Sequence, residues 1–185
     1  MRILVLSGKA GAGKTEAAVY LQRVHGFSEI AFADRLKDCV AALFGCSVLD
    51  LYDGDFKEQP IPGFPDWTWR KALQVIGTDL FRNQFDPEIW VKILVRTIAL
   101  GDGNWDWVVS DARFGNEAAA IKKAFPAAKV LSLRIVRPGL KAAGIAGHES
   151  EKMDWQSDQL LVNNGGIEDL QRNLDCLVKH GEAWG

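Results

Sequence analysis

Eight consecutive residues near the start of the chain, Gly8-Lys9-Ala10-Gly11-Ala12-Gly13-Lys14-Thr15, satisfy the pattern G-x-x-x-x-G-K-[ST] in full. An apolar run at 3–6 precedes them and a helix-forming run follows, which is the context the pattern requires. Small residues at Gly8, Ala10, Gly11, Ala12 and Gly13 let backbone N–H groups approach phosphate oxygens, and the helix N-terminus behind them adds partial positive charge. In that geometry Lys14 reaches the β and γ phosphates, while the Thr15 hydroxyl is offered to Mg²⁺. The alternative is a glycine-rich turn that binds nothing, and it has no need of correct flanks on both sides. The ligand implied is a nucleoside triphosphate with Mg²⁺.

A phosphate loop alone does not separate a switch GTPase, a motor ATPase and a small-molecule kinase. No N-K-x-D guanine-reading motif occurs in the chain, which weighs against the GTPase. A kinase also needs an acceptor pocket and cations that collect around both phosphates. Asp34 sits where a strand meets a helix, so it is either an N-cap or a substrate contact on the ligand-binding edge of a parallel sheet. Arg70 and Gln74 are four apart and share a helix face; they suit an acceptor monophosphate and a base edge, or form an ordinary solvated face. Asp111 follows the apolar run "WVVS" and would hold a Mg²⁺-bound water, with Arg113 two residues on to meet a phosphate. The structural alternative is an Asp–Arg pair that fixes the loop, joined by Glu117. Trp90 reads as core or pocket wall.

The segments "FADRLKD" (32–38), "WRKALQVIGTDLFRNQFDPEIWV" (69–91), "VVSDARFGNEAAAI" (108–121), "VRPG" (136–139), "HESE" (148–151) and "DQLLVNNGGIEDL" (158–170) complete the picture. With the glycine loop, they resemble the phage-type deoxynucleoside monophosphate kinase family, in the family's order and over nearly the whole chain. The resemblance implies a P-loop nucleoside-monophosphate-kinase fold that moves the γ-phosphoryl group of ATP to a deoxynucleoside monophosphate. It implies Lys14, Arg113 and Arg137 as catalytic cations, and a substrate-side set of Asp34, Lys37, Arg70, Gln74, Asp111, Arg113 and Lys141. Mg²⁺ falls to Thr15 and Asp111, and Asn164 borders the adenine ring unless "NNGG" is a plain turn. Segment 137–155 looks like the kinase lid. The family usually has proline after the residue matching Asp34, where this chain has Arg35. His148 and Glu151 are explained as well by a capped helix start and receive no chemistry. No general base is demanded, because the acceptor phosphate is already anionic.

Short apolar runs alternating with helical periodicity predict an α/β fold in which helices flank a five-stranded parallel sheet. The strands expected are 2–7, 29–33, 107–110, 129–136 and 159–162; the helices are 14–25, 34–44, 68–84, 87–100, 116–124 and 166–180. Segment 53–67 holds half of the six prolines and is expected to be a surface loop. The chain reads as one domain over 1–185, with an acceptor-binding lobe at 34–100 and the lid at 137–155. Its 185 residues, 48% apolar and 25% charged, fit a globular protein, and a net charge of -2 advertises no nucleic-acid partner. Cys39, Cys46 and Cys176 form no metal or disulfide pattern, and no run is long enough to span a membrane, so a cytoplasmic protein is expected. A homodimer is compatible with the sequence. Two further readings stay open: another small-molecule P-loop kinase of the dephospho-coenzyme A kinase type, and a nucleotide-dependent regulatory or binding module.

Overall fold

The computed structural model describes residues 1–101, 105–140 and 155–179. Lys141, His148, Glu151 and most of the expected lid lie outside them. Strand β1 (Arg2–Ser7) runs through the middle of a five-stranded sheet of order β2-β5-β1-β6-β7, all neighbours parallel. Its partners are β5 (Trp107–Ala112) and β6 (Lys129–Val136); β2 (Ser28–Ile30) and β7 (Gln159–Val162) form the edges. Because side chains alternate along a strand, Leu4 and Leu6 go to one face and Ile3 and Val5 to the other. The sheet therefore separates two cores. Helices α1 (Lys14–His25) and α7 (Ile167–Lys179) cover the first, where α7 buries Leu170, Leu174, Leu177 and Val178 along one stripe.

The second core lies under α2 (Asp34–Phe44), α4 (Trp69–Gln74), α5 (Ile89–Ala99) and α6 (Gly115–Ala124). The segment between α2 and α4 is more ordered than the plain loop expected. It contains a 3₁₀ turn (Asp50–Tyr52), the short helix α3 (Gly54–Lys57) and a hairpin of β3 (Pro60–Ile61) and β4 (Phe64–Thr68). The Asp53 carboxylate caps α3 by accepting from Asp55 N (2.7 Å) and Phe56 N (3.2 Å), which stabilises a helix too short to persist alone.

Two other departures shape the site. The helix expected over 68–84 is α-helical only to Gln74 and continues as a π-helix over Val75–Phe85. Within it the Gly77 carbonyl accepts from the Trp90 indole Nε1 at 2.8 Å, and a Cβ on Gly77 would stand 2.5 Å from Leu36 Cδ2 of α2. The glycine thus admits close packing where the wider turn exposes a carbonyl. Strand β2 ends at Ile30 and not at 33. The N–H groups of Ala31, Phe32 and Ala33 donate to side-chain carboxylates, which takes them out of the sheet ladder.

Candidate active site

The carboxyl ends of the central strands open into a cleft of about 580 Å³. That edge is where parallel sheets receive ligands. At one end lies the glycine loop between β1 and α1. Gly8 has φ +146°, and a Cβ there would meet the Ile135 carbonyl oxygen at 2.3 Å; Gly13 has φ +108°, and its Cβ would meet Asn163 Nδ2 at 2.7 Å. Both positions require glycine, because a side chain is excluded by space and by backbone conformation. The Lys14 ammonium donates to the carbonyls of Gly8 (2.6 Å) and Lys9 (3.0 Å), so it lies across the loop it would serve. Gly13 is the N-cap of α1 and no side chain caps that end, while Thr15 of the first turn is exposed. Buried Asn163 donates from Nδ2 to the Ala12 carbonyl at 2.9 Å and so fastens the end of β7 to the loop.

The middle of the cleft is organised by carboxylates that hold backbone. Asp111 accepts from Phe32 N (2.7 Å) through Oδ1 and from Ala33 N (2.9 Å) through Oδ2. Burial pushes its carboxyl above the usual range, against the pull of those two N–H groups and of Lys37 and Arg113. Asp34 is not the N-cap of α2; that position is Ala33. Its Oδ2 accepts from Ala31 N (2.8 Å), its Oδ1 accepts from the Tyr52 hydroxyl (2.8 Å), and Lys37 Nζ stands 3.7 Å from the same oxygen. The Lys37 ammonium also sits 3.5 Å from the Tyr52 ring centroid. Arg35 is exposed and pairs with Asp38 at 3.0 Å, and the backbone before it is held by Asp34 and Asp111.

At the far end, Glu117 accepts from Arg113 N (2.7 Å) and Phe114 N (3.0 Å) through one oxygen, and its other oxygen faces Arg82 Nη1 at 3.3 Å. Burial pushes the Glu117 carboxyl up to about 7, which the two N–H groups and Arg82 oppose. Arg82 also donates to Asn116 Oδ1 and lies 3.6 Å from the Phe114 ring centroid. Arg70 pairs with Glu58 on the cleft rim. The Trp155 indole donates to the Arg113 carbonyl at 3.0 Å, which steadies the turn that carries Arg113.

Of the residues singled out from sequence, Lys14, Thr15, Asp34, Lys37, Arg70, Gln74, Asp111 and Arg113 all line this one cleft. Trp90 is a wall residue, as expected. Asn164 is exposed beside the loop, and Arg137 is exposed just past β6, outside the cleft lining. Tyr52, Lys57 and Arg82 also face the cleft and were not singled out. Asn163 was missed too, although its signal stood next to the residue chosen in "VNNGG". Among the described residues all three cysteines are free, and no helix is long and apolar enough to cross a membrane.

A cleft lined by the phosphate loop and by further cations, Lys37, Arg70 and Arg113, suits a phosphotransferase with two substrates. Residues 55–174, which include Arg70 and Arg113, match the deoxynucleotide monophosphate kinase family. The chain belongs to that family. A protein of Acanthamoeba polyphaga mimivirus, provisionally named a deoxynucleotide monophosphate kinase, is 35% identical over 96% of both chains. The deoxynucleotide monophosphate kinase of Enterobacteria phage T4 is 29% identical over 61% of this chain and 46% of its own length. Among solved structures, shikimate kinase from Aquifex aeolicus superposes with a TM-score of 0.55 over 99% of both chains at 10% identity. That likeness shows the P-loop kinase fold. Arg70, Gln74, Asp111 and Arg113 lie inside the matched region, whereas the glycine loop, Asp34 and Lys37 lie before it.

Proposed function

We propose that the protein transfers the γ-phosphoryl group of ATP to a deoxynucleoside monophosphate, giving ADP and the diphosphate. The observation that carries this reading is the single cleft lined both by Lys14 and Thr15 of the phosphate loop and by Lys37, Arg70 and Arg113, in a chain of this family. ATP lies along the glycine loop, with Lys14 swinging from the Gly8 and Lys9 carbonyls onto the β and γ phosphates. The acceptor occupies the lobe over 34–100, where Arg70 takes its phosphate, Gln74 reads a base edge and Asp34 lies near the sugar. Arg113 stands between the two phosphates, held by the grip of Glu117 on its backbone N–H. Asn164 borders the adenine. Arg137 adds charge from the end of β6, and Lys141 from the segment beyond.

Hard oxygen donors suit Mg²⁺, and the Thr15 hydroxyl and Asp111 supply them on one cleft wall. Each Asp111 oxygen spends one lone pair on a backbone N–H and keeps another for a metal-bound water. Thr15 and Asp111 would hold Mg²⁺ there, and its charge would offset that on the phosphates in transfer. The protein's own contribution is positioning and charge. An ADP-release assay over a panel of deoxynucleoside monophosphates, with shikimate and dephospho-coenzyme A as controls, tests the reading. ADP release that depends on a deoxynucleotide acceptor supports it; release indifferent to acceptor contradicts it.

A further inference from the structure

Lys57 has no role in the account so far. It ends α3, the four-residue helix between α2 and α4, and is half-buried in the cleft wall. Its place is fixed from behind. Phe56 stacks on Trp69 of α4 with ring centroids 5.4 Å apart and planes 24° apart, Gln59 O accepts from Trp69 N at 3.2 Å, and Trp69 is buried. The next residue of each, Lys57 and Arg70, both line the cleft, and the charge of Arg70 acts on Lys57.

The charges around Lys57 are mostly of its own sign. The charges of Arg70 of α4, Lys37 of α2 and Arg113 after β5 act against it, and that of Asp53 at the start of α3 acts in its favour. Glu58 is drawn to Arg70, and Asp34 to Lys37. Lys57 makes no ion pair among the described residues. A half-buried cation set among three others is unfavourable in an empty cleft and favourable once a dianion lies between them.

We propose that Lys57 is an acceptor-phosphate residue, whose ammonium completes with Lys37, Arg70 and Arg113 the cluster that grips the monophosphate. This rests on the kinase reading above and adds a contact delivered by α3. Burial and the neighbouring cations lower the Lys57 ammonium to about 8, so the empty cleft holds it part-deprotonated in mildly alkaline solution. A bound dianion restores the proton. Binding therefore takes up a fraction of a proton near pH 8, and the acceptor's own phosphate, already dianionic above about pH 7, does not account for it.

The test is steady-state kinetics on the wild type, Lys57→Met and Lys57→Arg between pH 7 and 9, with each substrate varied in turn while the other is saturating. Lys57→Met is expected to raise the KM for the monophosphate about tenfold or more at pH 7 while leaving the KM for ATP within about twofold, and Lys57→Arg to restore it. The wild-type monophosphate KM should climb about tenfold from pH 7 to 9, while that of Lys57→Arg stays level, a difference that a merely structural lysine would not produce. An unchanged monophosphate KM in Lys57→Met, or parallel pH profiles for wild type and Lys57→Arg, overturns the assignment while leaving the kinase reading intact. A wild type that phosphorylates no deoxynucleoside monophosphate overturns both.

Discussion

Replacing Asn163 by alanine isolates one contact that holds the phosphate loop in shape. The side chain is 6% exposed, and its Nδ2 donates at 2.9 Å to the carbonyl of Ala12, which is itself 1% exposed. Truncation removes the bond, leaves a buried carbonyl without this donor and opens space beneath Gly13. An unsatisfied buried acceptor costs about 1–3 kcal/mol. For a chain of this size that lowers Tm by roughly 2–12 °C. Because the loop must be rebuilt each time ATP binds, part of the same free energy reappears as a KM for ATP raised about tenfold. The KM for the monophosphate should hardly move. Thermal unfolding followed by circular dichroism, and kinetics with each substrate varied in turn, measure both quantities. A variant with unaltered Tm and unaltered ATP KM, or one that loses both substrates equally, would show that Asn163 does not seat the loop.

Gly8→Ala should abolish the thermal shift caused by ATP and Mg²⁺, because its Cβ would meet the Ile135 carbonyl at 2.3 Å and force the loop away from β6; a normal shift would refute this. Arg70→Ala should raise the KM for the monophosphate at least tenfold and that for ATP little, and equal effects would remove Arg70 from the acceptor end. Asp175 accepts from the Tyr20 hydroxyl and from His25 Nε2, both at 2.8 Å, and those bonds with Lys179 hold its carboxyl down to about 2. A carboxyl with a depressed folded-state value contributes stability that is present above its unfolded value of about 4 and is lost as pH falls through about 2. Asp175→Asn should therefore flatten the acid limb of a urea-unfolding series between pH about 4 and 2, and a limb of unchanged slope would contradict the assignment.

Much of this was legible in the residues alone. Strands β1, β6 and β7 and helices α1 and α2 match their expected limits, because continuous apolar runs and αL glycine stops such as Gly26 and Gly45 are local signals. The glycine loop was legible for the same reason: its geometry is written in eight adjacent residues. What escaped depends on partners far along the chain. The early end of β2 is imposed by Asp111, some eighty residues away. The π-helical turn at Gly77 involves Leu36 and Trp90. Lys57 becomes a cleft residue only because Phe56 finds Trp69. Asn163 and Asn164 are chemically identical, and their place just past the end of β7, not their type, decides which one is buried.

The account turns on where the γ-phosphoryl group goes. Incubating the protein with Mg²⁺ and ATP labelled in the γ position, with and without each deoxynucleoside monophosphate, and separating the products by chromatography, answers that directly. The label is expected in a deoxynucleoside diphosphate, only when the acceptor is present, and not with Lys14→Ala. Label that accumulates solely as inorganic phosphate, at the same rate with or without acceptor, would contradict the account.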